Sequence, residues 1–187
     1  MEDRRIRKTK KAFYNALIEL LRKNEIRNIG IQELCDLADS HRSTFYYHYS
    51  DIYELYEEME SRILNDFSSL WITDESHTYY SVYEGIITYL NENWTVWSVL
   101  MSGNAGPHFK EKVCKILENK YIEIWQYEEG KSTFSNEFYI IAKACISAFI
   151  TLFTEWLNSD SINETDRFKA ILGDIDSAFD TLLEKYL

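Results

Sequence analysis

The chain has 187 residues, of which 45% are hydrophobic and 16% aromatic, and a formal net charge of −11. That length and apolar content suffice to bury a proper core, which excludes a disordered chain. A single proline and six glycines leave little turn chemistry for a multi-stranded sheet, so an all-α protein is expected.

The charge is unevenly spread. Residues 1–50 carry ten Lys/Arg against seven Asp/Glu, a net of +3, while residues 51–187 carry ten against twenty-four, a net of −14. Arg4, Arg5, Arg7, Lys8, Lys10 and Lys11 crowd into the first eleven residues. This is the pattern of an arm or helix start that meets a polyanion, although taken alone the cluster is more simply a solvated tail. No run of eighteen apolar residues occurs, and the charged start "MEDRRIRKTKK" has no apolar segment after it. Neither a membrane span nor a signal peptide is expected, and the expected location is the cytoplasm. Cys35, Cys114 and Cys145 are odd in number and far apart, with no CxxC or His spacing for zinc, so reduced core cysteines are expected.

In chain order, the first helix is predicted from about Lys8 to Lys23, with Ala12, Phe13, Ala16, Leu17, Leu20 and Leu21 on one face. "NEIRNIG" breaks it. A short helix from Ile31 to Ala38 carries Leu34 and Ala38 inward, and the connection "DSH" leads to a third helix, Arg42 to His48. Two short helices across such a turn suggest a helix-turn-helix. With Phe45 set inward, a period of about 3.6 residues brings Tyr49 near it and leaves Ser43 and Tyr47 opposite, flanked by Thr44 and Tyr46. A solvated face is more commonly Lys, Glu and Gln, so hydroxyls and rings there look like a contact surface for phosphates and base edges.

Residues 8–55, "KTKKAFYNALIELLRKNEIRNIGIQELCDLADSHRSTFYYHYSDIYEL", resemble the DNA-binding domain of the TetR family of transcriptional regulators, above all at "RSTFYYHY". Thr44, Phe45, Tyr46, His48 and Tyr49 fill that family's recognition-helix motif of the form T-hydrophobic-Y-x-H-F/Y. Many matched positions in order are more specific than a lone short motif. The resemblance implies that Ser43, Thr44 and Tyr47 face DNA, that Tyr46 and His48 contact phosphates or bases, and that Phe45 and Tyr49 hold the helix in its core. It adds Gln32, near the start of the second helix. Arg42 at the head of the recognition helix, and Arg5 and Lys8 from the basic cluster, complete the expected DNA-binding set. Two positions depart from the pattern. Asp39 stands where the family usually has its turn glycine, and Asp tolerates left-handed backbone better than most residues. Ile52 replaces a lysine often found near the start of the fourth helix, a phosphate contact that the N-terminal cluster would have to supply.

From Asp51, the apolar positions Ile52, Leu55, Tyr56, Met59, Ile63, Phe67 and Leu70 keep a three-four rhythm, which predicts the helix joining two domains. Helices are then predicted around Tyr80–Asn93, over Trp94–Met101, and from Pro107 to Tyr127, the proline suiting a helix start. Asn136 to Ser159 is apolar on much of its circumference and is expected to be buried on both sides. The last helix, about Thr165 to Tyr186, carries Phe168, Ile171, Leu172, Ile175, Phe179, Leu182 and Leu183. In the family, the last two long helices pair with those of a second subunit as a four-helix bundle. The resemblance therefore implies a helix-turn-helix DNA-binding domain of three helices over residues 1–50, and an effector-binding, dimerising helical bundle over 51–187.

The functional expectation is a dimeric repressor of double-stranded operator DNA, a homodimer modulated by a small apolar or cationic effector. Trp94, Trp97 and Trp125 are the side chains to probe for that effector, although core and dimer packing is the simpler account of any one of the many aromatics, Trp71 and Tyr83 included. The alternative is a helical interaction protein or co-activator that acts through a protein partner with weak or no DNA binding. An enzyme is the weakest reading. His41, His48, His77 and His108 are not spaced with carboxylates as ligands, and "SGNAGPHF" lacks the lysine and preceding strand of a phosphate loop. No catalytic residue, metal, cofactor or membrane partner is expected.

Overall fold

The computed structural model describes residues 4–70, 79–105, 108–158 and 165–187. Every regular element among them is helical: α1 (Arg4–Leu21), a 3-10 turn (Ile26–Asn28), α2 (Ile31–Leu37), α3 (Arg42–His48), α4 (Ile52–Ser69), α5 (Tyr79–Glu92), α6 (Trp94–Met101), α7 (His108–Glu129), α8 (Asn136–Asn158), α9 (Thr165–Leu183) and a closing 3-10 turn (Glu184–Tyr186). The all-α expectation holds. α1 starts one turn earlier than predicted, because Arg and Lys are good helix formers and the basic cluster is itself helical. Trp71, His77, Pro107 and the side chain of Tyr83 lie outside the described residues.

The chain divides into two compact units, Met1–Phe109 and Lys110–Leu187. In the first, α4 and α6 both pack against α1, so by packing this unit extends well past residue 50. α1 packs on α2 and α4 and α2 on α3, and Phe13, Leu17 and Leu21 of α1, Leu34 and Cys35 of α2, Phe45 and Tyr49 of the α3 region and Leu55 of α4 are all buried. Phe13 stands edge-on to Phe45 at 5.4 Å and to Tyr49 at 6.3 Å, the arrangement favoured by ring quadrupoles. Trp97 of α6 is wholly enclosed, with Phe67 at 5.0 Å, Phe109 at 5.4 Å and Tyr89 at 6.2 Å between ring centroids.

Two local devices fix the short helices. Asp39, between α2 and α3, adopts φ +49°, the left-handed region that the substitution of glycine by Asp requires. At the head of α4 the Asp51 carboxylate accepts from the Glu54 amide at 2.9 Å, and the Glu54 carboxylate accepts from the Ser50 amide and hydroxyl, each at 2.7 Å. This reciprocal capping starts α4 immediately after α3. The hydrogen bonds from the Ser50 amide and then its hydroxyl hold the Glu54 carboxyl below its ordinary pKa.

In the second unit α8 packs along α9, and Trp156 stacks on Phe168 at 4.3 Å with the rings nearly parallel. Trp125 of α7 stands edge-on to Phe138 of α8 at 5.7 Å. α8 is long and apolar enough to cross a membrane by length and composition, yet Phe138, Ala142, Cys145, Ile146, Ile150, Phe153, Trp156 and Leu157 are all buried within the protein. Its expected burial on both sides is met on one side only in a single chain. Ile140, Ala144, Ser147 and Thr151 form an exposed stripe at helical spacing on the other. All three cysteines are free, Cys35 and Cys145 buried and Cys114 half-buried.

Candidate nucleic-acid interface

α3 is seven residues long and is held by one face. Phe45 is fully buried and Tyr49, its C-cap, almost so, which turns the remaining side chains outward. Tyr47 is 79% exposed and Tyr46 50%, unusual values for large rings in a well-packed unit. Arg42 and Ser43 are exposed beside them, while Thr44 and His48 are half-buried at the flanks. The structure thus brings Arg42, Ser43, Tyr46 and Tyr47 onto one open face, in the phase the sequence predicts.

The rings are oriented by their neighbours. The Arg42 guanidinium lies 5.8 Å from the Tyr46 ring centre and donates to its hydroxyl at 3.4 Å, a contact that pushes the guanidinium pKa up. Tyr47 meets His48 edge-to-face at 4.9 Å. This seven-residue helix carries a cation, two phenol hydroxyls, an imidazole and a serine hydroxyl, which suits donation to phosphates and base edges. On α2, exposed Gln32 donates to the Asp36 carboxylate at 2.7 Å, so its amide is oriented before any ligand arrives. His41 is the N-cap of α3 but makes no side-chain capping bond.

Arg5 and Lys8 are exposed on the first turns of α1 with Arg4, Arg7 and Lys11. Lys10 is different. Its ammonium is engaged with Glu58 of α4, a pairing across 48 residues that no helical spacing announces. Ile52, at the head of α4, is buried.

The tryptophans proposed for an effector lie in different surroundings. Trp97 belongs to the enclosed ring cluster of the first unit, Trp94 is half-buried at the start of α6, and Trp125 is nearly buried in the second unit beside Tyr121 and Phe138. An open groove on α4 is lined by Glu54, Glu57, Glu58, Ser61, Arg62, Asn65 and Asp66. Among the described residues, no group of His, Cys, Asp and Glu side chains is arranged to hold a metal ion.

Residues 77–175 match the TetR C-terminal family model described as "Transcriptional regulator C-terminal region". Among solved structures, the chain is similar to a TetR transcriptional regulator from Streptococcus agalactiae 2603V, with 26% identity, a TM-score of 0.63, and 91% of this chain and 96% of that one covered. It also shares its fold with the dihydroxyacetone kinase operon activator DhaS, at 18% identity and a TM-score of 0.62, covering 95% of this chain and 97% of that one. No curated protein matches. The family model spans more than half of the chain, and the chain belongs to the TetR family of transcriptional regulators.

Proposed function

We propose that this regulator is a homodimer that binds double-stranded operator DNA through α3 and represses transcription from it. The single observation that carries the reading is the exposure of Tyr46 and Tyr47 above a buried Phe45. Tyr46 rests edge-on against Phe45 at 5.5 Å with its outer half open, Tyr47 stands largely clear of the core, and rings and hydroxyls so presented on a short helix fit a major groove. Ser43, Thr44 and Tyr47 read base edges, and Arg42, Tyr46, His48 and Gln32 contact phosphates or bases. Arg5 and Lys8 supply sequence-independent phosphate attraction from α1. The net charge of −14 over residues 51–187 disfavours DNA contact by the rest of the chain.

Dimerisation runs through α8 and α9. Ile140, 69% exposed, continues into the stripe Ala144, Ser147 and Thr151, while Ile171 and Leu182 are exposed on α9. Small side chains flanked by branched ones allow two helices to approach closely, and an isologous contact gives a two-fold operator. The effector is apolar or cationic, with the tryptophan rings and carboxylates of the acidic helical region as its recognition elements.

The experiment is selection of bound duplexes from a random-sequence pool, followed by footprinting. A pseudo-palindrome with half-sites about one helical turn apart is expected. Absence of any selected sequence would leave the co-activator reading in its place. Tryptophan fluorescence then screens apolar and cationic compounds; each hit should bind more weakly when operator is present, as linkage demands.

A further inference from the structure

The cations of α1 and the DNA-contacting side chains of α2 and α3 in the proposed function are joined by one connection, residues 22–25, which separates α1 from the 3-10 turn that leads into α2. Asn104, in the turn after α6, bonds to both ends of that connection. Its side-chain amide donates to the Leu21 carbonyl at 2.9 Å, and its backbone carbonyl accepts from the Ile26 amide at 3.1 Å. Leu21 O belongs to the last turn of α1, where carbonyls lack helical partners, and the side-chain amide nitrogen of Asn104 supplies it with a donor. Asn104 is itself held: Gly103 before it takes φ +91°, and the Ser102 hydroxyl, donating to the Val99 carbonyl at 2.7 Å, accepts from the Asn104 amide at 3.4 Å. α6 ends in that turn, and α6 packs against α1.

We propose that Asn104 is a positioning residue for DNA reading, one that fixes the register between the cations of α1 and the reading face of α3. Resting on the DNA-binding reading, the argument is geometric. Specific binding requires phosphate contacts from α1 and base contacts from α3 to be made together, whereas non-specific binding needs only the cations. A clip across residues 22–25 fixes where α2 starts relative to α1. α3 follows α2 through the tight turn at Asp39, so the clip sets both. A looser connection therefore costs discrimination and leaves general attraction to DNA untouched. A helix end tied by Asn104 merely for stability would not separate the two.

The test compares Asn104→Ala and Asn104→Asp with the unmodified protein on a duplex selected from a random-sequence pool and on an unrelated duplex of equal length. Asn104→Ala keeps the backbone bond to Ile26 and loses the bond to Leu21. It should lose about three- to ten-fold on the selected duplex, the value of one hydrogen bond. The unrelated duplex should change less than about two-fold, with the same salt slope. Asn104→Asp turns a carboxylate toward the Leu21 carbonyl and should lose more. Equal losses on both duplexes, or no loss, would overturn the proposal. If the unmodified protein selects no duplex, the DNA-binding reading has failed and the role in DNA reading falls with it, and amide hydrogen exchange then decides only the structural clip between α1 and α2. Faster exchange from Ile26 to Leu37 in Asn104→Ala, with α8 unchanged, sustains it; unchanged protection there overturns it.

Discussion

The Lys10 ammonium lies 2.8 and 3.0 Å from the two carboxylate oxygens of Glu58, joining α1 to α4, and the Tyr14 hydroxyl donates to the nearer oxygen at 2.6 Å. The same ammonium sits 5.7 Å from the Tyr49 ring centre, so the cluster also touches the end of α3. Burial alone would raise the Glu58 pKa, but Lys10 and Tyr14 outweigh it and hold the carboxyl below its ordinary value. Burial and the Glu58 bond push Tyr14 up to about 12.

Glu58→Gln should accordingly destabilise the protein by about 0.5–1 kcal/mol, a modest figure because the pair is only partly shielded from solvent. A carboxyl with a depressed folded pKa contributes stability that is present above its unfolded pKa and lost as pH falls through the folded one. The gap between Glu58→Gln and the unmodified protein in urea should be full at pH 7 and close below pH 4.5, the ordinary Glu value. A gap independent of pH would mean that the charge on Glu58 contributes nothing.

Base-facing and phosphate-facing residues should fail differently. Tyr47→Ala or Thr44→Ala should cost about 1–3 kcal/mol at particular base pairs, whereas Arg5→Ala or Lys8→Ala should weaken binding to all DNA and flatten the salt slope. A panel of substituted operators checks this. Unchanged base preference in Tyr47→Ala would show that the exposed ring does not read sequence.

Ile140→Glu and Ile171→Glu alter side chains that are 69% and 40% exposed in one chain. Neither should disturb the fold of the second unit, and each should yield a monomer in sedimentation with operator affinity lowered at least ten-fold or so, since one half-site is then read at a time. Phe153→Glu, at a buried position, should instead unfold that unit.

Asp180 of α9 gives a pH effect of opposite sign. Burial, then the neighbouring Asp176 carboxylate, pushes its pKa up from 3.8 to about 6, against a smaller opposing effect of the Tyr121 hydroxyl 3.5 Å away. A raised folded pKa means stability that is full below the unfolded value and lost as pH rises through about 6. Asp180→Asn should match the unmodified protein near pH 4 and be more stable at pH 7. Screening at this partly exposed carboxyl limits the gain to about 1 kcal/mol, or roughly 2–4 °C in Tm. Equal melting shifts at both pH values would contradict this.

The helices were legible because their apolar spacing and caps are local: α3 and α6 fall where the pattern predicts, and Asp39 takes the left-handed turn its position demanded. The outward phase of Tyr47 followed from Phe45 by helical geometry alone. Glu58 and Asn104 were not legible. Their partners lie 48 and 83 residues away, and nothing in the spacing of charges or amides singles out one long-range contact from the others that composition allows. Trp97 likewise looked as available to a ligand as Trp94, and only packing shows it enclosed.

The chemical make-up of the reading face has a thermodynamic consequence. Tyrosine has few rotatable bonds, and Tyr46 and Tyr47 are already restrained by Arg42 and His48, so little side-chain entropy is left to lose when they dock, far less than long lysines would surrender. What they remove from water is largely ring surface, whose burial lowers the heat capacity. Operator binding by this protein should therefore grow more exothermic on warming, with Arg42 the α3 side chain that adds to the release of counterions.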